Sequence, residues 1–394
     1  MVLLMREIIP YGRQLIDKDD IDAVVSVLKS SFLTQGPMVP RFEDVVSNHV
    51  GAEYSVAVNN ATSALHIACL ALELGPEDWL WTVPNTFVAS ANCALYCGAK
   101  VDFVDIDNRA YNMCTEALEI KLKSAQEFGK LPKIVIPVHF AGQSCDMQRI
   151  YELSKIYGFK IIEDASHAIG SKYQNQWVGN CRYSDITVFS FHPVKIVTTG
   201  EGGMALTNNK VLSNSMLKYR SHGITSDKSE MQSRPKNEIW NYQQIQLGFN
   251  YRMTDIQAAL GVSQMNHLNA FVARRNEIAT RYDHLLNDLP ICLPWQHQDS
   301  YSSYHLYPIR LDLSVIKKTQ QQVYEEFHRM KIMVNLHYIP VYLQPYYEKM
   351  GFGSGYCPIA EQYYKETLSI PMYPSMTNKQ QDHVIDSLRR IITS

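Results

Sequence analysis

The chain has 394 residues, 46% of them apolar and 19% charged, with 37 Lys and Arg against 39 Asp and Glu for a formal net charge of −2. That length can bury a large core and favours one big domain with a smaller companion, and the near-neutral balance offers no basic field for nucleic acid or an anionic membrane surface. Eight scattered cysteines, none in a CxxC pair, fit free thiols in a reducing, cytoplasmic compartment.

The N-terminal run MVLLMREII is apolar, but Arg6 interrupts it and no small-residue cleavage site follows, so it reads neither as a signal peptide nor as a membrane span. From there to about residue 208, short apolar runs alternate with stretches of helical period, the pattern of a parallel sheet covered on both faces. Strands are expected at 54–60, 79–85, 100–106, 133–140, 159–166, 186–192 and 202–208, with crossover helices at 62–74, 86–98 and 146–158. Cys93 and Cys97, four apart on the second of these helices, read as core rather than as a metal pair, and no metal site is expected. Residues 221–246 turn polar and lose any period, as a long functional loop would. Thr254 or Asp255 then caps a long helix. Segments 304–313, 321–332 and 381–393 suggest a smaller α+β unit. The expected division is a large domain over 1–255, a connecting helix over 256–290 and a small C-terminal domain over 291–394.

In such a sheet, ligands bind beyond the carboxyl ends of the strands. The residues closing these strands form a combination: Asp164 after FKIIE, Ser190 and then Lys195 in FSFHPVK, Ala61 and Thr62 opening a helix after YSVAVNN, and Phe87 in TVPNTF. Each has an ordinary structural explanation alone, as a cap, a strand residue, a turn carboxylate or a core ring. Together they ask for a phosphate, a flat ring, a basic ring nitrogen and an aldehyde, which are the parts of pyridoxal 5'-phosphate. Asp164 would keep the pyridine nitrogen protonated, Phe87 would stack on the ring, and Ser190 with the Ala61 and Thr62 helix start would take the phosphate. Lys195 would bond the aldehyde, its amine made nucleophilic by burial. A nicotinamide enzyme would need a GxGxxG after the first strand, where this chain has ATSALHIA.

Across nearly its whole length the sequence resembles the DegT/DnrJ/EryC1-type sugar aminotransferases, a family of fold-type I pyridoxal-phosphate enzymes. The segments FLTQGPMVPRFE, NNATSALHIA, PNTFVASAN, PVHFAGQSCDM, EDASHAIGSKYQ, FSFHPVK, TTGEGGM, GFNYRMTDIQAALG and HYIPVYLQPYY follow in the family's order. The resemblance implies an α/β fold whose large domain carries a mostly parallel seven-stranded sheet covered by helices. It implies Lys195 as the catalytic lysine, Asp164 as the ring-nitrogen partner and Phe87 as the stacking ring. His167 stands where many members have a glutamine that approaches the ring hydroxyl, and the histidine is similar to the branch that makes pseudaminic acid. Asn250 matches a residue that reaches the cofactor phosphate of a neighbouring subunit, so the resemblance implies a homodimer with shared sites. Tyr11, Ser31, Phe32, Leu33, Thr34, His337 and Tyr338 match substrate-side segments. Arg252, Arg220 and Lys228 are candidates for a nucleotide diphosphate by position.

Some relatives carry histidine in place of the lysine and dehydrate sugars, so Lys195 favours amino transfer. The expected substrates are L-glutamate and a UDP-linked 4-keto-6-deoxy-N-acetylhexosamine. The alternatives are another nucleotide-linked keto sugar, or a regulatory protein that binds the cofactor without turnover.

Overall fold

A computed structural model describes residues 8–233, 238 and 240–393. Seven strands form one sheet: β1 (Tyr54–Val58), β2 (Trp79–Thr82), β3 (Lys100–Phe103), β4 (Ile134–Ile136), β5 (Lys160–Asp164), β6 (Ile186–Ser190) and β7 (Gly203–Thr207). Their order is β1-β7-β6-β5-β4-β2-β3. Strands β6, β5, β4, β2 and β3 pair in parallel, while β7 runs antiparallel to both β1 and β6. The reversal follows from the chain between β6 and β7, which makes a turn rather than a helical crossover and so returns in the opposite direction. The sheet is α/β and mostly parallel, as expected.

Every expected strand is present, but each is shorter than the apolar run that predicted it. Pro84 and Pro137 lie just past β2 and β4, where a residue without an N–H cannot continue a ladder. Helices Ala61–Ala71 (α3), Ala89–Tyr96 (α4) and Met147–Tyr157 stand where crossovers were predicted. Helices Lys18–Leu28 (α1), Met38–Val50 (α2), Thr115–Glu127 and Lys210–Arg220 also form, though they were not among the predicted elements. Cys93 is buried in α4, its thiol donating to the Ser90 carbonyl.

The long helix runs over Asp255–Leu286, with Thr254 and Gln257 forming a capping box at its start. Its first half packs Val262, Met265, Leu268 and Phe271 among Phe42, Phe189 and Phe191 beneath the large sheet. Its second half places Ile278, Tyr282 and Leu286 in another core, built on a three-stranded antiparallel sheet of Ile291–Cys292, Tyr307–Leu311 and Thr367–Ile370. Gly261 allows the close approach, since a Cβ there would stand 2.6 Å from the Phe42 ring.

Between the halves, Arg275 is buried and donates to the carbonyls of Tyr304, His305 and Met372, joining the two cores without a carboxylate. The base of the polar loop is more ordered than expected, because Ile224–Thr225 pairs with Gln243–Gln244. Part of that loop, 234–237 and 239, lies outside the described residues, as does most of the apolar N-terminal run. Among the described residues no helix is long and apolar enough to cross a membrane.

Candidate active site

The carboxyl ends of β1, β5 and β6 and the start of β7 share one edge of the sheet, and the predicted cofactor residues collect there. Strand alternation decides which acidic residue of β5 faces the site. Glu163 points away and is consumed by Ser184, Thr187 and His139, whose Nε2 lies 2.7 Å from Oε2. Asp164, on the opposite face and buried, accepts the Ser166 N–H on Oδ1 at 3.1 Å and the Ser90 hydroxyl on Oδ2 at 2.7 Å.

Lys195 lies five residues beyond β6 and is half-buried. Burial pushes its amine down to about 8, against the opposing pull of Asp164. The ammonium that a buried lysine would otherwise carry is therefore destabilised, and the free base is within reach near neutral pH. His167, His305 and His337 are all buried, and burial together with the charge of Lys195 holds each below the usual imidazole range, His337 at about 3.

The tautomer of His167 follows from its neighbours. Its Nδ1 accepts the Ala141 N–H at 3.3 Å, so the ring proton sits on Nε2, 3.2 Å from the Tyr338 hydroxyl oxygen. Asn85 fixes Tyr338 from the other side, its Oδ1 accepting the Tyr338 N–H at 3.1 Å. Tyr11 joins this group through its ring, 5.4 Å from that of His337. His337 also meets Ser369, with Nδ1 2.9 Å from Oγ, so it is both packed and close to the lysine.

At the other end of the site the backbone forms a cradle. Asn60 caps α3 by accepting the Ser63 N–H at 2.8 Å, which leaves the Ala61 and Thr62 N–H groups at the helix start without an intrahelical acceptor. Gly203 pairs with Ser190 across β6 and β7, and a Cβ on it would stand 2.5 Å from the Ala61 nitrogen. Glycine is thus what lets α3 approach the strand, and the Ser190 side chain shares this end of the sheet. Phe87, at the entry to α4, is 61% exposed, with a ring face free to cover a ligand.

These features fit pyridoxal phosphate. Helix-start amides and a serine suit its phosphate, Asp164 suits its ring nitrogen, Phe87 suits its ring face, and an amine with a depressed pKa suits its aldehyde.

Not every predicted residue joins the group. Ser31, Phe32, Leu33 and Thr34 are exposed between α1 and α2, and their stretch is tied to the start of the long helix, where the Asp255 N–H donates to the Leu33 carbonyl. Asn250 is exposed and pairs through its backbone with Ser221. Arg220 is corrected: its guanidinium is engaged by Glu43 at 2.7 Å and by the Ala57 carbonyl, so it is not free for a diphosphate. Lys228 is exposed, and Arg252 meets His222 at 3.4 Å.

Sequence reasoning missed Ser90, Gly203, Asn85 and His305. Ser90 was open to notice, three residues after Phe87 and so one helical turn away. His305 had no local signal, because Arg275 and the small sheet bring it onto His167, with ring centroids 4.3 Å apart.

Comparison with known proteins agrees with this architecture. The DegT/DnrJ/EryC1/StrS aminotransferase family matches residues 14–389. The chain is 37% identical over 391 residues to the UDP-4-amino-4,6-dideoxy-N-acetyl-beta-L-altrosamine transaminase of Campylobacter jejuni subsp. jejuni serotype O:23/36 (strain 81-176), covering 98% of this chain and 97% of that one. Among solved structures it superposes on Helicobacter pylori PseC, an aminotransferase involved in the biosynthesis of pseudoaminic acid, with a TM-score of 0.88, 29% identity and coverage of 98% and 100%. It matches the PLP-form of the putative sugar aminotransferase Spr1654 from Streptococcus pneumoniae with a TM-score of 0.88, 27% identity and coverage of 98% and 99%.

Proposed function

The chain belongs to the DegT/DnrJ/EryC1/StrS aminotransferase family, and on that footing we propose that it transfers the amino group of L-glutamate to the C4 ketone of a UDP-linked 4-keto-6-deoxy-N-acetylhexosamine. Glutamate leaves as 2-oxoglutarate, and the ketone oxygen is replaced by an amine. The observation that carries the reading is the half-buried Lys195 amine, lowered to about 8, at the sheet edge that also presents Asp164 and the α3 cradle. The choice of sugar is supported by the transaminase activity of the Campylobacter relative and by the pathway of the Helicobacter aminotransferase.

Pyridoxal phosphate, when bound, supplies the electron sink that makes the donor's α-hydrogen acidic. The chain's own residues do the rest. Lys195 would take that proton from the donor's α-carbon as free base and hold it as the conjugate acid, roles that require an amine whose pKa lies near working pH. Asp164 would set a fixed negative charge at the ring nitrogen. Ser190, Ala61 and Thr62 would hold the phosphate, and Phe87 would cover one ring face. His167 is neutral, with its proton on Nε2, and so is a donor rather than a competing acid. Tyr11, His337 and Tyr338 form the wall on the sugar side, polar but uncharged.

The exposure of Asn250 and of the 31–34 stretch suits contacts made to a second copy, so the working unit is a homodimer with each site completed by its neighbour. Sedimentation of the loaded protein should give twice the 45.1 kDa chain mass, and a monomer with full activity would contradict shared sites. The substrate assignment is tested by offering UDP-, dTDP- and GDP-linked 4-keto sugars with glutamate and weighing the products. The 4-amino sugar should form with the UDP acceptor, and preference for another nucleotide would overturn it.

A further inference from the structure

We propose that Ser90 is a positioning residue whose hydroxyl fixes the Asp164 carboxylate for a pyridine-type ring; the inference rests on the reading of Asp164 as the partner of the cofactor's ring nitrogen. Ser90 lies in the first turn of α4 and has no solvent exposure. Its one proton has three acceptors in reach, Asp164 Oδ2 at 2.7 Å, Thr86 Oγ1 at 2.8 Å and the Phe87 carbonyl at 3.4 Å. The contact to a carboxylate is the strongest one, so the proton goes to Asp164. The Thr86 hydroxyl, 2.8 Å from Ser90 Oγ, then has to be the donor of that pair, giving the sequence Thr86 to Ser90 to Asp164.

Asp164 is held at its other oxygen by the Ser166 N–H, which belongs to the turn after β5. Two donors from two elements therefore pin the carboxylate plane. Without Ser90 the carboxylate can turn about its Cβ–Cγ bond, because one backbone N–H does not fix a plane. The same turn of α4 follows directly from Phe87, so the ring that covers the ligand and the charge that meets its nitrogen are fixed by one short segment. Ser90 touches neither substrate nor cofactor in this reading and acts through Asp164.

The test is a double-mutant cycle on cofactor affinity, measured by titrating pyridoxal phosphate into the full-length, cofactor-depleted protein and following absorbance. Ser90→Ala should weaken binding about ten- to a hundredfold, the range for losing a hydrogen bond to a charged group. Ser90→Cys keeps nearly the same volume with a poor donor and should weaken binding in the same way, so a folding defect in the alanine variant does not end the test. In an Asp164→Ala background, neither substitution should weaken binding further. Wild-type affinity in both variants would overturn the inference, as would an equal loss whether or not Asp164 is present, the signature of a merely structural role. Failure of the wild-type protein to bind pyridoxal phosphate is a separate result that strikes the reading of the site itself.

Discussion

Replacing Lys195 by alanine should abolish amino transfer, lowering turnover by at least about a thousandfold, within the span expected when a general acid and base that is also a nucleophile is lost. The expectation follows from its setting rather than from its being a lysine. Its amine sits among Asp164 and three uncharged histidines, and burial holds it at about 8. Lys195→Arg should fail nearly as completely, since a guanidinium stays protonated and cannot serve as the free base. The sign of the pH dependence is set by the same group. A lysine depressed from 10.5 to about 8 is protonated below that point, so capture of the aldehyde by cofactor-depleted protein should slow as pH falls through 8 and level off above it. A rate that is flat from pH 6 to 9 would mean that the amine is not the group being titrated.

Asp164→Asn should cost a hundredfold or more in turnover, an effect of charge rather than of shape. The asparagine is nearly isosteric, and its carbonyl oxygen can still accept from the turn or from Ser90, so the thermal midpoint should stay close to that of the wild type. What is lost is a fixed negative charge in a buried site, where water cannot replace it and where charge interactions are strong. Losing one preorganised electrostatic contact at a reacting centre costs about 3 kcal/mol, and tenfold in rate corresponds to about 1.36 kcal/mol. Steady-state kinetics beside thermal melts decide it. Loss of activity with an unchanged melt agrees with the electrostatic role, whereas retained activity would remove Asp164 from the chemistry.

Much of the large sheet was legible because its strands are buried on both faces and read as unbroken apolar runs. Their tips were legible because the chain turns polar there, which is why Asp164, Ser190 and Lys195 could be picked out together. The ends of the strands were less so, and prolines at 84 and 137 account for two of them. The missed helix Thr115–Glu127 buries only Leu118 and Leu122, a stripe too thin to show a period. Helix α1 carried a usable signal, since Asp17 and Asp20 form its capping box three residues apart.

The groups that support the site were illegible for a different reason. Ser90 meets Asp164 across 74 positions and Arg220 meets Glu43 across 177, and no local pattern encodes such a meeting. The glycine at 203 reads as a strand residue until α3 is seen lying against it. Arg220 was misjudged because position along the chain says where a cation stands, not whether a carboxylate already holds it.

The central claim, that the amine of Lys195 is the point of attachment for pyridoxal phosphate, is tested most directly by reducing the loaded protein with borohydride and mapping the modified peptide by mass spectrometry. A pyridoxyl group should be found on Lys195. Its appearance on another lysine, or on none, would contradict the claim.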